Sequence, residues 1–388
     1  YILNDDEKTA EIFGTFDSVD VTIPKSINHE SEEYIVTKIL EESMKNVESI
    51  EFSKESKIQK IEKSAFSNSL LKSIEIPSSV TEICEASFAN CNLLTSVQFS
   101  EDSQLKLIGE YAFYYTMIES IKIPSKVQKI SDHSFYYCTQ LKTVEFSEKS
   151  ELKSIGKSAF SSTLIESITI PSSVEYIADW TFSYCSNLSK VDFSNESKLK
   201  IIDEHSFSNS QIKHLSIPSS VIELKDGWCN EMNPSIEIEI KKNEIENISN
   251  FNDTFIIGKS DLNTKNFDVL LFARRVIEHA IIPSFIKRIS PYAFNCCNNL
   301  KSVDFSLNSE LKSIGKYAFS YSTIESISIP KSVTQIEGHS FSHCNELKRV
   351  EFQKDSKLIS MEQHLFSQSS LESLEIPSNV IEFKDEWC

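Results

Sequence analysis

Glycine is scarce, with 7 in 388 residues. That leaves little material for the Gly-rich loops that cradle phosphates, and no G-x-x-x-x-G-K occurs. The patterns H-E-x-x-H, G-x-S-x-G and paired C-x-x-C are missing too, so no common catalytic or nucleotide-binding signature is present. Basic charge is in deficit: 39 Lys and Arg stand against 57 Asp and Glu, a net charge of -18. Such a balance argues against nucleic acid and against anionic membrane surfaces as partners, because both recruit a basic face. Long apolar runs are lacking as well. The densest, Val269-Leu270-Leu271-Phe272-Ala273, falls far short of the ~18 residues of a membrane span. The expectation is a chain with no membrane span, no catalytic residues, no cofactor and no metal: not an enzyme.

What the sequence does have is a period. The dipeptide Ile-Pro recurs with prolines at 24, 77, 124, 171, 218, 283, 330 and 377, at intervals of 53, 47, 47, 47, 65, 47 and 47 residues. A second series, Phe52, Phe99, Phe146 and Phe193, then Phe305 and Phe352, keeps the same spacing, with Ile240 in the place that follows Phe193. The two series interleave, so the unit is 23 or 24 residues, and two alternating versions make the 47. Units of 20–29 residues are the size of leucine-rich repeats.

Each unit carries a segment such as Leu71-Lys72-Ser73-Ile74-Glu75-Ile76, in which Ile74 and Ile76 face one way and Ser73 and Glu75 the other. Period-two alternation predicts a half-buried strand. Pro77, without an N–H, ends it. Val80, Ile83 and Phe88 form a second apolar set whose spacing predicts a short helical or irregular return, the crossover that parallel strands need. Fifteen such strand sites occur, and at ~4.8 Å between neighbours their sheet would run to roughly 70 Å. A unit this small buries its apolar face only by stacking on the next.

Ile74-Glu75-Ile76-Pro77-Ser78-Ser79-Val80, Ile83, Ala86-Ser87-Phe88 and Cys91 resemble the I-x-I-P-x-x-V-x-x-I-x-x-x-A-F-x-x-C pattern of the BspA-like leucine-rich repeats, with one extra residue between Ala86 and Phe88. The match recurs over nearly the whole chain. Serine is used heavily, and Ile, Val and Phe stand where other leucine-rich repeats have Leu. The resemblance implies an α/β fold: a right-handed leucine-rich-repeat solenoid, a curved superhelix with a long parallel β-sheet on its concave face. It also implies a protein-binding module of a surface-exposed or secreted protein, since members of that family are surface proteins implicated in attachment to host matrix or cells. The alternative is an intracellular or self-assembling scaffold using the same surface. In either case the expected partner is a protein.

The period fails in two places. The first interval is long, and Tyr34-Ile35-Val36-Thr37-Lys38-Ile39 resembles a longer opening repeat, an N-terminal cap. Between Ile240 and Pro283 there are 18 extra residues, within which Phe255-Ile256-Ile257 and Asp268 to Phe272 resemble Tyr1-Ile2-Leu3 and Ala10 to Phe13. Each array is expected to begin with a strand pair. Lys225-Asp226-Gly227-Trp228-Cys229 and Lys384-Asp385-Glu386-Trp387-Cys388 are near copies that close an array, with Cys229 and Cys388 in the place of the repeat phenylalanine. The expected organisation is a first array with its cap over 1–240, an insertion and start of the second array over 241–282, and a second array over 283–388. The chain reads as a fragment, with a further insertion like 241–282 expected beyond Cys388.

Repeat register dissolves most of the tempting sites. Cys91, Cys138, Cys185, Cys297 and Cys344 each follow the repeat phenylalanine by three residues, alternating with Ser or Thr. Equivalent cysteines are therefore two strands apart, roughly 10 Å, beyond the ~7 Å that a disulfide can bridge. Buried reduced thiols are expected. His339, His343 and Cys344 look like a metal cluster, but His133, His205, His339 and His364 share a column with Tyr111, Trp180, Tyr292 and Tyr317, two residues before the phenylalanine. A column that takes His, Tyr and Trp alike indicates packing or a solvent-facing edge. Sequons at Asn187, Asn195, Asn247 and Asn252 lend slight support to secretion.

Stacking also lines up the outward side chains of the strands. One row is mostly Ser or Thr, broken by Lys190, His214, Glu237 and His279 on successive strand sites flanking the insertion, and by Asp20 and Arg349. A second row includes Glu51, Glu75, Glu145, Asp192, Glu239, Asp304, Glu351 and Glu375, against one base, Lys122. Solvated strand positions would give the same pattern. As a binding surface, Lys190, Asp192, His214, Glu237, Glu239, His279, Asp304 and Arg349 are the candidates, because solenoid insertions often border binding faces. A metal shared by His214 and His279 would need both to converge around Glu237.

Overall fold

The computed structural model describes residues 1–14, 19–233, 235–241 and 247–387, which form two compact units, 1–212 and 213–388. Both are wound from coils with three sides. The first side is a strand of about four residues. In the first unit Ser73–Ile76, Ser96–Phe99, Ser120–Ile123, Thr143–Phe146, Ser167–Ile170 and Lys190–Phe193 pair in parallel, Ser73 opposite Ser96 and Ile76 opposite Phe99. Alternation puts Ile74 and Ile76 in the core at 3% and 1% exposure, while Ser73 and Glu75 face solvent.

The second side is a ladder of two-residue strands, from Lys60–Ile61 and Glu82–Ile83 through Leu107–Ile108 to Ile201–Ile202. Two turns lead into it. After Ile76 the Val80 N–H donates to Pro77 O at 3.1 Å. After Phe99 the Ser103 N–H donates to Ser100 O, and the Ser103 hydroxyl accepts from the Leu105 N–H. The alternation of Pro and Ser turns gives the two versions of the repeat.

On the third side the return, expected to be helical or irregular, is irregular. No helix is present among the described residues, so the α half of the α/β expectation has no counterpart there. Around each buried phenylalanine the chain makes three overlapping turns instead. Ala65, Ser67 and Ser69 donate to carbonyls three residues back, at Glu62, Ser64 and Phe66, whereas the N–H groups of Ser64, Phe66 and Asn68 donate forward to Glu85, Ala89 and, for Phe66 at 2.7 Å, Ser87 of the next coil. The same forward bonds run from Ala86, Phe88 and Asn90 to Glu110, Ala112 and Tyr114, and so on along the unit. This geometry needs left-handed backbone two residues before and two after each phenylalanine, with φ of 54° at Ser64, 60° at Asn68, 55° at His133 and 57° at Tyr184. A non-glycine residue there costs roughly 1–2 kcal/mol, offset by a hydrogen bond that each such N–H makes to the next coil.

Stacked coils put identical side chains on top of one another. Phe66, Phe88, Phe113, Phe135, Phe160, Phe182 and Phe207 are all fully buried and form one column, with successive ring centroids 4.9–5.6 Å apart and planes within 12° of parallel. As far as Phe182 the residue before the ring alternates between Ala and a hydroxyl that reaches back one coil: Ser134 Oγ donates to Gly109 O at 2.9 Å, and Thr181 Oγ1 to Gly156 O at 3.0 Å. Ser87, Ser206 and Ser340 make the same bridge to the coil before. Gly109 and Gly156 lie where coils approach closest; a Cβ on Gly109 would come within 2.6 Å of the Cys84 carbonyl carbon.

Both units contain the expected strand pair. Ile2–Asn4 runs antiparallel to Thr9–Ile12, which passes to Glu32–Ile39 and so to the short ladder. In the second unit Phe255–Gly258 runs antiparallel to Val269–Ala273, with Ile248–Phe251 added on its other edge. Val269–Ala273 then leads into Arg288–Ile289, Ser313–Ile314 and Gln335–Ile336. Arg275, 5% exposed, closes the start of this stack. Its guanidinium donates to Ala273 O, Ala293 O and Tyr292 O at 2.6–3.2 Å and lies 4.3 Å from the Phe272 ring centroid. Cys229 occupies the phenylalanine place of its coil, 3% exposed, with Trp228 buried beside it, as expected of the closing segment; Cys388, its counterpart in the second copy, lies outside the described residues.

The long ladder is not hydrogen-bonded without a break. In the first unit Asp20–Ile23 pairs with Ser49–Phe52 as a separate sheet. In the second, His214–Ile217 pairs with Glu237–Ile240, while His279–Ile282, Ser302–Phe305, Ser326–Ile329, Arg349–Phe352 and Ser373–Leu374 form another.

Two outcomes follow for stability. Phe160→Ala is expected to cost about 3–5 kcal/mol, read as a lower midpoint of urea unfolding, whereas Phe146→Ala, at the half-buried end of an outer strand, costs much less. Arg275→Met keeps the packing volume but strips donors from buried carbonyls, at about 1–3 kcal/mol, measured in the same way.

Candidate functional site

The outward face of the four-residue strands carries side chains that the core does not need. Lys190 and Asp192, in the first unit, pair with each other at 2.7 Å, with both side chains well exposed. The other candidates lie in the second unit. His214 Nδ1 is 3.9 Å from the Glu237 carboxylate, their backbones opposite one another in register. Glu239 accepts from the Ser216 hydroxyl at 3.1 Å. His279 Nδ1 meets the Ser302 hydroxyl at 2.9 Å. Arg349 pairs with Glu351 on its own strand, beside an open depression of about 900 Å³ lined also by Lys354, Asp355, Ser373 and Glu375. Asp304 stands opposite Ile281.

His214 and Glu237 are therefore brought together, and so are the acid–base neighbours Lys190 with Asp192 and Arg349 with Glu351. His279 is not joined to Glu237. Their strands belong to separate ladders, and the hairpin segment Ile248–Phe251 follows Glu237–Ile240 where a further outer strand would otherwise stack. Among the described residues no three His, Cys, Asp or Glu side chains are grouped so as to hold a metal ion. Exposed ion pairs of this kind contribute about 0–1 kcal/mol each, so they can be exchanged for pairs with a partner at little cost.

Ile281 was passed over in the reading of the rows. Its neighbours Ala280 and Ile282 are fully buried, so alternation alone turns Ile281 outward, where it is 64% exposed among Ser, Asp and Glu. With His279 two residues away, it gives the start of this sheet an apolar point that no other strand offers at that place.

The cysteines and histidines have other roles. Cys91 Sγ lies 3.0 Å from Phe66 O and 3.2 Å from the Ser69 hydroxyl, and Cys138 and Cys185 repeat the arrangement with Phe113 and Thr116, and with Phe160 and Thr163. The thiol donates to the carbonyl of the coil before, and in alternate coils Ser or Thr fills the space. All described cysteines are free. Burial pushes the thiols of Cys91, Cys138, Cys185 and Cys344 up to about 11, and that of Cys229 to about 12. His339 is stacked between Tyr317 and His364, and His343 on Tyr321, while Cys344 points into the core, so the three do not converge.

Fold and site together define a β-solenoid of the leucine-rich-repeat type, whose stacked strands present side chains in rows. The sequence matches the family model described as BspA type leucine rich repeat region in six copies, over residues 25–106, 106–233 and 265–387, and the chain belongs to that family. In fold it is similar to a leucine-rich repeat protein from Bacteroides ovatus, with TM-score 0.62 and 21% identity over 99% of this chain and 98% of the other. A leucine rich cell surface protein from Faecalibacterium prausnitzii gives 0.58 and 22%, covering 100% and 83%. The pneumococcal vaccine antigen PcpA gives 0.54 and 20%, covering 99% and 86%. At these identities the likeness is one of fold. None of the curated proteins matches the sequence.

Thiol accessibility checks this arrangement. At pH 8 a maleimide followed by peptide mapping is expected to label the half-exposed Cys84 and Cys296, whereas Cys91, Cys138, Cys185, Cys229 and Cys344 label at least tenfold more slowly until denaturant is added.

Proposed function

We propose that this chain is the protein-binding repeat module of a surface-exposed or secreted adhesion protein. Its contact surface is the outward strand face, centred on Lys190, Asp192, His214, Glu237, Glu239, His279, Asp304 and Arg349, with Ile281 as an apolar anchor. The observation that carries the reading is the change of character along the outer row. Elsewhere it is mostly Ser or Thr, and here it takes bases, acids and, two residues on from His279, an exposed isoleucine without any gain to the core. Exposed charge in alternating sign favours a protein partner of mixed charge and steers its approach.

In this reading the two arrays, 1–240 and 283–388, are joined by 241–282 and wind in the right-handed sense with the outer strands on the concave face. The family supports a surface location: one fold neighbour is described as a cell surface protein and another as a vaccine antigen. No helix among the described residues is long and apolar enough to cross a membrane.

The test is binding to immobilised extracellular matrix proteins by surface plasmon resonance. Changing Lys190, His214, Glu237 and His279 together to Ser is expected to weaken binding at least tenfold, while Glu51, Glu75 and Glu145 changed to Ser leave it within twofold. Equal affinity in both variants removes the patch from the surface. Sedimentation of the free protein covers the scaffold alternative, which requires self-association that the first variant abolishes.

A further inference from the structure

Because every coil repeats the same places, each place carries its own controls, and three neighbouring places in the second unit depart from theirs in one direction. Two residues before the Ile-Pro proline, other coils hold Glu75, Lys122, Thr169, Ser216, Ser328 and Glu375, whereas the coil of Pro283 holds Ile281. Two residues after the proline, where Ser79, Lys126, Ser173, Ser220, Ser332 and Asn379 stand, it holds Phe285. In the coil that follows, the second residue after the strand phenylalanine is Leu307, against Lys54, Glu101, Glu148, Asn195 and Lys354 elsewhere. Each is a large apolar side chain at a place that is otherwise polar.

The three lie together. Ile282 stands opposite Phe305 in the ladder, the Ser306 N–H donates to Ile282 O at 3.0 Å and the Glu310 N–H to Ser284 O at 2.9 Å, so the turn bearing Leu307 runs along the turn bearing Phe285. Ile281 is on the strand that leads into that turn. All three meet solvent: Ile281 is 64%, Phe285 39% and Leu307 92% exposed, the last the most exposed of the large apolar side chains among the described residues. The core does not need them, since Ala280, Ile282 and Ile286 are fully buried there already. Phe285 is held by an edge-on contact with Phe251, ring centroids 5.6 Å apart, so the cluster is preformed. Apolar side chains scattered singly over a surface need no explanation, but a cluster rimmed by polar residues marks a contact site. The rim here is acidic. Asp304, opposite Ile281, and Glu310 are exposed and make no ion pair among the described residues, while the nearby bases Lys287 and Lys301 are taken up by Asp268 at 3.7 Å and Glu278 at 3.6 Å.

We infer that Ile281, Phe285 and Leu307 form the docking point for a protein segment in which large apolar side chains are interspersed with lysine or arginine. The inference rests on the protein-binding reading of the strand face and names the chemistry of the partner there. The cluster takes apolar side chains out of water, and the free carboxylates at its rim select cations beside them. A second copy of this chain does not fit, because it would bring the same unpaired carboxylates from both sides on a chain whose net charge is -18. The same charge disfavours an anionic lipid surface.

The probe is a synthetic dodecapeptide of leucine and lysine, labelled and titrated with the intact chain by fluorescence anisotropy. Two contrast peptides each keep half of its chemistry, one of leucine with glutamate and one of serine with lysine. The leucine–lysine peptide is expected to bind saturably, and each contrast at least tenfold more weakly. Ile281→Ser, Phe285→Ser and Leu307→Asn together, each a residue that the same place holds in another coil, should weaken binding tenfold or more without changing any charge. Ile281→Ser with Leu307→Asn, which leaves Phe285 on Phe251, should weaken it at least threefold. Circular dichroism confirms that both variants are folded. Matrix binding measured in parallel separates the two readings: a chain that binds the peptide but no matrix protein loses the adhesion role alone, and the reverse result removes this docking point alone. The inference is overturned if the leucine–lysine peptide does not bind, if either contrast binds as well, or if both variants keep the full affinity. It is overturned too if the triple variant loses self-association in sedimentation, or binding to phosphatidylcholine vesicles, rather than the peptide.

Discussion

Every coil must repeat its neighbour's rise, because the amide of each buried phenylalanine bonds forward to the carbonyl ahead of the next ring, and the rings stack at the same spacing. Phe66 N–H to Ser87 O and Phe88 N–H to Ala112 O are links of a chain that holds backbone and side chain to one step. Much else follows from that step. Left-handed residues appear twice per coil because only then do alternate N–H groups point forward. Ser134 and Thr181 reach back to Gly109 and Gly156 because a hydroxyl spans one coil and no more. Cys91 and Ser69 alternate because the space beside the phenylalanine takes one sulfur and one oxygen in turn.

The period, the half-buried outer strands, the opening strand pairs and the reduced thiols were legible in the sequence because each repeats at fixed spacing or alternates with period two. The short ladder was not. Two residues are too few to alternate, and the partner of Ile83 lies in the next coil, at Ile108. Nor was the turn side. Left-handed backbone is usually signalled by glycine, which is scarce here, and its places are taken by Tyr, His, Trp, Ser and Asn, whose register bonds are invisible without the fold. The break between Glu237 and His279 escaped too. The repeat count gives strand sites in order but is silent on which of them share hydrogen bonds, and His279 was placed beside Glu237 on count alone.

The three sides of a coil divide the work. The short ladder and the phenylalanine column hold the array together and vary little in kind. The outer strands expose alternate residues that contribute almost nothing to the core, which is why Lys190, His214, Glu237 and Arg349 can replace serine. The turn side tolerates rings or serines at the same places, as Tyr137 and Ser162 show, since either kind of residue leaves the forward amide bond intact. Stability and recognition are therefore carried by different atoms, and the array can change what it presents without being refolded.

Around the phenylalanines the backbone bonds between coils all run forward, so there the leading face offers N–H groups and the trailing face carbonyls, whereas on the short ladder Cys84 and Gly109 donate back to Ile61 O and Ile83 O. Arg275 fits that logic, a buried cation set against Ala293 O and Tyr292 O at the carbonyl end, much as a base suits the last turn of a helix. A duplicated segment spliced between two coils always meets donors with acceptors and needs no fresh cap, so such genes can lengthen by simple copying, and each new copy arrives with an outer strand free to diverge.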